Sequence, residues 1–442
     1  MPRRRAHAPL DVFVNNRLVG HLAKENDGAI RFGYDRRWLE WQNAFAVSLS
    51  LPMRPTLYSG APVAAVFDNL LPDNADTRRR VAERTGAEGT DAYSLLEEIG
   101  RDCVGAMQFL HEGDQPGKFT EIDGERVSDA EIEKILANLA SAPLGMDVEQ
   151  EFRISVAGAQ EKTALLYSRN SWLRPKGTTP TTHILKPQLG MIPTAFGLID
   201  MESSVDNEHY CLTLLEEFGL KVAKTRIETF GKRRVLVVER FDRMWRTGSE
   251  LLRLPQEDCC QALGIPPARK YQSEGGPTAV GILKLLQQAD DPIEDQSAFF
   301  RSLILFWLIG ATDGHGKNFS IFLRPGGRYG LTPFYDVLSA QPAFDRKQIP
   351  KKSYKLAMSA GKSRKYRIYD ISGHHFVETG REAGMGPAMI IKAIRDVLDQ
   401  AQSAPERALA RMPKDFATKI HDSVAKAIQG RLALLEAGLT GL

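Results

Sequence analysis

One polar turn, set between an apolar helix and an apolar hairpin, constrains this chain more than any other stretch. Residues 299–308 are almost all apolar and predict a buried helix that ends at Gly310. The turn that follows holds four polar side chains within six positions (313–318): Asp313, His315, Lys317 and Asn318. The strand-turn-strand pattern over residues 319–334 then leads directly to Tyr335 and Asp336. Two carboxylates and an amide around one hairpin indicate a site that meets a charged partner.

The spacing of these groups matches the catalytic loop of protein kinases. There, an Asp accepts the proton of the substrate hydroxyl, and an Asn five positions later and a further Asp hold magnesium ions. Asp313 and Asn318 have this interval, and Asp336 follows after one hairpin. Amide and carboxylate oxygens suit magnesium. A polar helix-to-strand turn with Asx capping explains the same residues equally well, because about one such pair arises by chance in a chain of this length.

Composition bounds the class of protein. With 442 residues, 43% of them hydrophobic, the chain is long enough for two or three lobes with large cores. The 58 basic and 55 acidic residues nearly balance, so net charge does not indicate a nucleic-acid partner. The four cysteines lack C-x-x-C spacing, which argues against a disulfide framework or a zinc site. A cytoplasmic protein with no membrane partner is expected, because no apolar run reaches the roughly 18 residues of a membrane span and the basic start lacks an apolar signal core.

Residues 1–145 predict a small α+β unit. The expected elements are a hairpin over 10–22, strands at 30–34, 46–51 and 105–110, and helices at 63–71, 93–100 and 129–139. Ser128 is the expected N-cap of the last helix, and residues 141–146 predict a linker. No constellation of chemical groups stands out in this unit.

Residues 152–167 carry the first feature of a nucleotide-binding lobe. Their pattern predicts two strands around a small-residue turn at 157–159, whose backbone N–H groups could bind an anion. The G-x-G-x-x-G fingerprint is absent, and a plain hairpin explains the same pattern.

A second feature is a lysine that closes the strand predicted over 182–186, followed by a helix predicted over 205–218. In a kinase N-lobe, such a lysine contacts the α- and β-phosphates and is held by a helix glutamate. Lys186 and Glu208 are the candidate pair. A solvated lysine at a strand end and an ordinary first-turn acid are the alternatives.

The order of elements predicts the fold class. An apolar strand at 234–238 runs into the charged segment 239–243, which suits either a hinge whose backbone reads an adenine edge or an ordinary strand end. Helical patterns dominate the remainder of the chain. Together these signals predict an α+β, two-lobed protein-kinase-like fold. Its parts are an extra N-terminal α+β subdomain (1–145), a kinase N-lobe (146–243) and a mostly helical C-lobe (244–442).

Several motifs carry a resemblance to a known family. They are RISVAGAQEKTALL (153–166), SVDNEHYC (204–211), VVERFDR (237–243), RLPQEDCCQALG (253–264), GATDGHGKNFSIF (310–322) and LTPFYDVLSA (331–340). FDNLLPDN (67–74) extends the resemblance into the N-terminal unit. These motifs resemble the HipA family, the serine/threonine kinase toxins of bacterial HipBA toxin–antitoxin modules.

The resemblance implies roles for individual residues. Asp313 would accept the proton, Asn318 and Asp336 would bind Mg²⁺, and Ser155 would be autophosphorylated. Residues that would line ATP are Ala157, Gly158, Ala159, Gln160, Glu161, Lys162, Lys186, Glu239, Arg240, Phe241, His315, Gly316, Lys317, Asn318, Tyr335 and Asp336. The histidine and arginine that precede the catalytic Asp in common protein kinases are replaced, and the D-F-G triplet is missing. Both departures are similar to HipA proteins.

The resemblance also implies a substrate and partners. The expected reaction is transfer of the ATP γ-phosphoryl to a protein serine, with glutamyl-tRNA synthetase as the substrate and growth arrest, or persistence, as the outcome. A HipB-like antitoxin with a helix-turn-helix would bring the complex to operator DNA. Residues 346–367 hold nine Lys or Arg and no acid, which suits either contact with that DNA or a solvated loop. Two other classes remain open: a small-molecule phosphotransferase of kinase fold, and a catalytically silent DNA-binding corepressor that binds ATP without turnover.

Overall fold

The computed structural model describes residues 7–117, 120–140, 142–144, 155, 160–194, 196–246 and 250–440. The chain has the two-lobed, kinase-like α+β fold expected from the order of elements, with an additional N-terminal unit.

The N-terminal unit is a five-stranded antiparallel sheet packed against helices. Its strands are β1 (Leu10–Val14), β2 (Arg17–Lys24), β3 (Ile30–Tyr34), β4 (Tyr58–Ser59) and β5 (Met107–His111), in the order β4-β3-β2-β1-β5. Its helices are α1 (Arg36–Leu39), α2 (Ala61–Asp68), α3 (Ala75–Thr85) and α4 (Ala92–Ile99). The hairpin expected over 10–22 is confirmed, and its turn residues Asn15 and Asn16 have positive φ angles of 44° and 65°.

The strand expected at 46–51 is wrong. This segment is irregular, because its backbone groups bond to side chains instead of to a neighbouring strand. The N–H of Val47 donates to the Tyr34 hydroxyl at 3.0 Å, and the N–H of Leu49 donates to Glu257 at 2.8 Å.

A six-stranded antiparallel sheet forms the second layer. The elements of this region are β6 (Gly124–Arg126), β7 (Thr163–Ser168), β8 (Ser171–Pro175), β9 (His183–Pro187), β10 (Gly190–Thr194), β11 (Gly197–Met201), β12 (Thr225–Phe230) and β13 (Arg233–Glu239), with helices α5 (Asp129–Ala137) and α6 (Ser204–Glu217). The sheet order is β12-β13-β9-β7-β8-β6, and β10 and β11 form a separate hairpin. Ser128 caps α5 in a capping box, as expected. The domain boundary at residue 145 stays a prediction, although β6 belongs to this sheet.

The C-terminal half is mostly helical. Its strands are β14 (Arg243–Arg246), β15 (Glu250–Arg253), β16 (Gln256–Asp258), β17 (Ser320–Arg324), β18 (Arg328–Leu331), β19 (Lys355–Ala360) and β20 (Lys365–Arg367). Its helices are α7 (Cys259–Ala262), α8 (Ala279–Leu286), α9 (Pro292–Ile309), α10 (Gln341–Asp345), α11 (Gly373–Glu382), α12 (Pro387–Gln400), α13 (Ala404–Ala410) and α14 (Lys419–Glu436).

Helix α9 places the polar turn. Most of its side chains are buried, and it ends at Gly310 with a left-handed φ of 71°. A side chain at Gly310 would overlap the Tyr354 hydroxyl, so glycine is required both by conformation and by space. The chain therefore leaves α9 abruptly and enters the turn that holds Asp313. Within the described residues, no helix combines the length and apolar character needed to cross a bilayer.

Candidate active site

A cleft of about 810 Å³ opens between the N-terminal unit, the six-stranded sheet and the helical half. Most of the expected site residues line it: Gln160, Glu161, Lys162, Lys186, Glu239, Arg240, Phe241, Asp313, His315, Lys317, Asn318, Tyr335 and Asp336. Gly316 is buried, and its N–H donates to the Lys270 carbonyl at 3.1 Å. Ala157, Gly158 and Ala159 lie outside the described residues.

Lys186 joins two carboxylates in the cleft. It lies on β9, and its Nζ donates to Glu208 Oε1 of α6 and to Asp336 Oδ1, each at 2.7 Å. Burial disfavours the ammonium, but the charges of Asp336 and Glu208 outweigh it and raise the pKa of Lys186 above its usual value. The expected pairing of Lys186 with Glu208 is confirmed. Lys186 thus remains a fixed positive charge in the cleft.

Asp336 follows the β17–β18 hairpin in a strained conformation. Its φ of 59° is left-handed, which is unusual for a residue other than glycine and is often found at functional sites. Burial disfavours the carboxylate, but Lys186 and Lys162 hold the pKa of Asp336 at about 2. The side chain is therefore ionised across the physiological pH range.

The oxygens of Asn318 and Asp336 fit a magnesium ion. The Asn318 amide nitrogen donates to the Asp313 carbonyl at 2.8 Å. Among the described residues, the amide oxygen has no such bond, so it is left for a metal ion. Asp336 adds an ionised carboxylate. In the part of the chain that the structure describes, no three acidic, histidine or cysteine side chains converge as a complete metal cage. Two protein ligands suit magnesium, which keeps several waters and shares substrate phosphates.

Asp313 lies on the open side of the turn, with 66% of its side chain exposed. The turn is held by its own backbone, because the Asp313 carbonyl accepts the N–H of His315 at 2.8 Å. The Asp313 carboxylate oxygen Oδ1 accepts a hydrogen bond from the Tyr271 hydroxyl at 2.6 Å. Sequence reasoning missed Tyr271, which lies 42 positions away and carries no local signal.

The N-terminal unit contributes to the cleft, contrary to the expectation that it carries no constellation of chemical groups. Lys317 donates to the Asn69 carbonyl at 3.1 Å and to Asp73 at 2.7 Å. Asp73 also accepts from Lys270 at 2.8 Å. Burial opposes the charge of Asp73, but Lys317 and Lys270 lower the pKa of Asp73 to about 2. The signal that could have revealed these residues is the FDNLLPDN motif itself, which ends in closely spaced polar side chains.

In the segment expected to be a hinge, backbone N–H groups that could bind an adenine edge are already bonded to protein carbonyls. The N–H of Glu239 donates to the Lys224 carbonyl at 2.9 Å, and the N–H of Arg240 donates to the Thr182 carbonyl at 2.9 Å. Phe241 packs against Tyr335, with ring centroids 5.6 Å apart. The side of the hinge that faces the cleft is therefore aromatic.

Behind this hinge lies a buried ionic cluster, named here the hinge cluster. Its members are Asp102, Arg240, Asp242, Arg243 and Arg253. Asp102 comes from the N-terminal unit and bonds to all three guanidinium groups. Burial opposes its charge, but the three arginines hold the pKa of Asp102 well below its usual range. The guanidinium of Arg240 is thereby committed to protein partners.

Ser155 is fully buried against the N-terminal unit. Its hydroxyl donates to the Leu70 carbonyl at 2.7 Å, and its N–H donates to the Asp102 carbonyl at 3.0 Å. The expected phosphorylation of Ser155 therefore requires this hydroxyl to leave Leu70.

Two family models match the chain. The HipA-like C-terminal domain matches residues 154–405, and the HipA N-terminal domain matches residues 10–110.

Individual relatives extend this match over nearly the whole chain. Y4mE of Sinorhizobium fredii strain NGR234, named as a kinase by inference, is 32% identical over 435 residues, which cover 96% of this chain and 98% of the relative. The serine/threonine-protein kinase toxin HipA of Shewanella oneidensis is 26% identical over 77% of each chain.

A solved structure shows the same fold. It contains the Shewanella oneidensis toxin–antitoxin system HipA, HipB and its operator DNA, and one of its chains matches with a TM-score of 0.80 at 22% identity, covering 97% of this chain and 99% of the other. Because one family model covers more than half of the residues, and one relative exceeds 30% identity over nearly the full length, this chain belongs to the HipA family.

Proposed function

We propose that this protein is an ATP-dependent serine/threonine protein kinase and the toxin of a toxin–antitoxin pair. The observation that carries the proposal is the charge arrangement of the cleft. Lys186 is fixed between Glu208 and Asp336, and Asp313 and Asn318 line the same cleft. Relatives named as kinases support this assignment.

The chemistry follows from the positions of these residues in the cleft. The exposed carboxylate of Asp313 would accept the proton of a seryl hydroxyl as that oxygen attacks the γ-phosphorus of ATP, while the bond from this phosphorus to the β,γ-bridging oxygen breaks and ADP leaves. Lys186 would bind the phosphates as a fixed cation. Asn318 and Asp336 would hold magnesium, which would neutralise the negative charge of the phosphates.

Two further features of the cleft suit ATP. The aromatic pair Phe241 and Tyr335 packs with the apolar side chains of Ile184 and Val238, and together they offer an apolar surface for a purine. Lys162 adds a second ammonium near the phosphate position. Burial and the neighbouring Lys186 lower the pKa of Lys162 to about 8, so it is mostly charged at neutral pH.

We also propose that Ser155 is autophosphorylated. A phosphate adds a charge of about −1.5 to −2, which cannot remain buried against the Leu70 carbonyl. Modification would therefore move Ser155 out of its present position and change the loop that precedes Lys162. This gives the kinase a means of switching itself.

The partners proposed are a HipB-like antitoxin, operator DNA through that complex, and glutamyl-tRNA synthetase as the protein substrate, in the cytoplasm. The Shewanella oneidensis structure with HipB and operator DNA supports the first two. The stretch 346–367, named here the basic hairpin, contains the short 3₁₀ turn Lys351–Ser353 and the β19–β20 hairpin that follows it, and its lysines are largely exposed. This basic hairpin suits a DNA backbone. Glutamyl-tRNA synthetase is proposed from family resemblance alone.

A mass measurement tests the activity. Purified protein is incubated with Mg-ATP beside Asp313→Asn and a surface control, Asp399→Asn. One phosphate on Ser155 in the parent and the control, with a rate about 10²–10⁴-fold lower in Asp313→Asn, is the expected result. ATP binding without phosphate on any of the three would contradict kinase activity and favour a silent corepressor. Transfer to a small molecule but never to a serine would favour a small-molecule phosphotransferase.

A further inference from the structure

The side chain of the proposed base, Asp313, accepts a hydrogen bond that has no counterpart among the kinase roles assigned above. Its Oδ1 accepts from the Tyr271 hydroxyl at 2.6 Å, whereas its Oδ2 lies 4.0 Å from His315 Nε2, beyond hydrogen-bond distance. Most of the Asp313 side chain is exposed, and among the described residues Tyr271 is the contact that limits rotation of the carboxylate. The two oxygens of Asp313 are therefore not equivalent.

Tyr271 is itself held in place from two sides. Its ring stands nearly perpendicular to the His315 ring, with centroids 5.0 Å apart. The preceding residue, Lys270, accepts the Gly316 N–H through its carbonyl and donates to Asp73 through its ammonium. Tyr271 thus belongs to a segment that is hydrogen-bonded both to the catalytic turn and to the N-terminal unit.

The protonation state of Tyr271 agrees with a donor role. Burial and the charge of Asp313 raise the pKa of Tyr271 above its usual value, so the hydroxyl keeps its proton and donates it in the hydrogen bond. A hydrogen bond to a charged group is worth about 1.5–3 kcal/mol. This is enough to select one carboxylate orientation over others in an exposed turn.

We propose that Tyr271 is a positioning residue, which holds one oxygen of Asp313 and leaves the other to accept the proton of the attacking seryl hydroxyl. The proposal rests on the proposed kinase function. A different role is possible for the same contact: the Tyr271 hydroxyl could occupy the place of the substrate hydroxyl and block the base. The two roles predict opposite effects when the hydroxyl is removed.

The test is Tyr271→Phe, which keeps the ring against His315 and removes only the hydroxyl. The matched control is Tyr329→Phe, because the Tyr329 hydroxyl also donates at 2.7 Å but to the Leu285 carbonyl, and Tyr329 does not line the cleft. The rate of phosphate incorporation is measured at increasing Mg-ATP, together with the thermal midpoint. For Tyr271→Phe we expect a maximal rate about 10- to 100-fold lower and an unchanged KM for ATP. The control is expected to match the parent.

Other outcomes would overturn the role. A Tyr271→Phe rate equal to that of the parent would exclude positioning, and a higher rate would indicate that the hydroxyl blocks the base. A raised KM with an unchanged maximal rate would assign Tyr271 to ATP binding. If the parent incorporates no phosphate under any condition, the proposed function fails and the role of Tyr271 falls with it.

Discussion

Two clusters of buried charges lie close to the hinge, and they differ in how much of their charge stays accessible. In the hinge cluster, Asp102 and Asp242 bond to arginines and backbone groups on all sides, and every side chain is at most 4% exposed. In the cleft, Lys186 bridges Glu208 and Asp336, but the Asp336 side chain remains 34% exposed. The first cluster is closed, and the second still faces open space.

This difference separates a structural role from a functional one. Removing charges from water is costly, and a closed cluster offsets that cost through ion pairs and hydrogen bonds among its own members. An open cluster keeps ionised groups accessible, which serves a ligand that brings its own charge. Asp102 therefore explains how the N-terminal unit is fixed to the hinge, whereas Asp336 and Lys186 are candidates for contact with ATP. Substitutions in each cluster test this contrast.

Breaking the closed cluster should mainly affect stability. Asp102→Asn leaves three buried guanidinium groups without their shared carboxylate, so we expect the free energy of unfolding to fall by about 3–5 kcal/mol. Denaturant unfolding measures the change, with the exposed Asp114→Asn as the control. A loss no greater than that of the control would show that the arginines find other partners and that the cluster does not hold the two units together.

Breaking the open cluster should mainly affect chemistry. Lys186→Met removes the cation but keeps an unbranched side chain of similar length, and we expect phosphate incorporation to fall by about 10²–10³-fold. Lys224→Met is the control, because Lys224 is an exposed lysine that does not line the cleft. Rates at saturating Mg-ATP give the result. A parent-like rate would remove Lys186 from the phosphate site.

The sequence predicted the parts of the site that local order determines. Asp313, Asn318 and Asp336 line one cleft because a single helix end and a single hairpin place them there, and the chain order of strand and helix was enough to pair Lys186 with Glu208.

Contacts between distant segments could not be predicted in this way. Asp73 meets Lys317 across 244 positions, and Asp102 meets Arg240 across 138, without any local pattern to mark either pair. Helix α3, whose start is capped by the Asn74 side chain, was also not among the predicted helices.

The bridge between Asp73 and the two lysines is intermediate between the two clusters. Because the pKa of Asp73 is lowered from 3.8 to about 2 in the folded state, its contribution is complete above the unfolded pKa and is lost as pH falls through the folded pKa. Asp73→Asn should therefore reduce stability by about 2 kcal/mol at neutral pH, and the difference from the parent should shrink as pH falls from 4 towards 2. Denaturant unfolding at several pH values measures this, with the exposed Asp76→Asn as the control. A difference that is constant with pH would show that the carboxylate charge is not what binds Lys270 and Lys317.

The smallest effect is expected where the charges are neither buried nor in the cleft. Lys351, Lys352 and Lys362 of the basic hairpin are exposed, so reversing their charges should leave both folding and kinase activity unchanged. If all three contact operator phosphates in the complex with the antitoxin, the slope of log affinity against log salt should become less steep by about 2.7.

Operator binding at several salt concentrations gives that slope. The control reverses three exposed lysines outside the hairpin: Lys232, Lys284 and Lys414. An equal change in both variants would reflect net charge alone, and an unchanged slope in the hairpin variant would remove residues 346–367 from the DNA interface. A change confined to the hairpin variant would show that these lysines contact the operator phosphates. Unlike the charges of the two buried clusters, they would then act only when the partner complex brings the DNA.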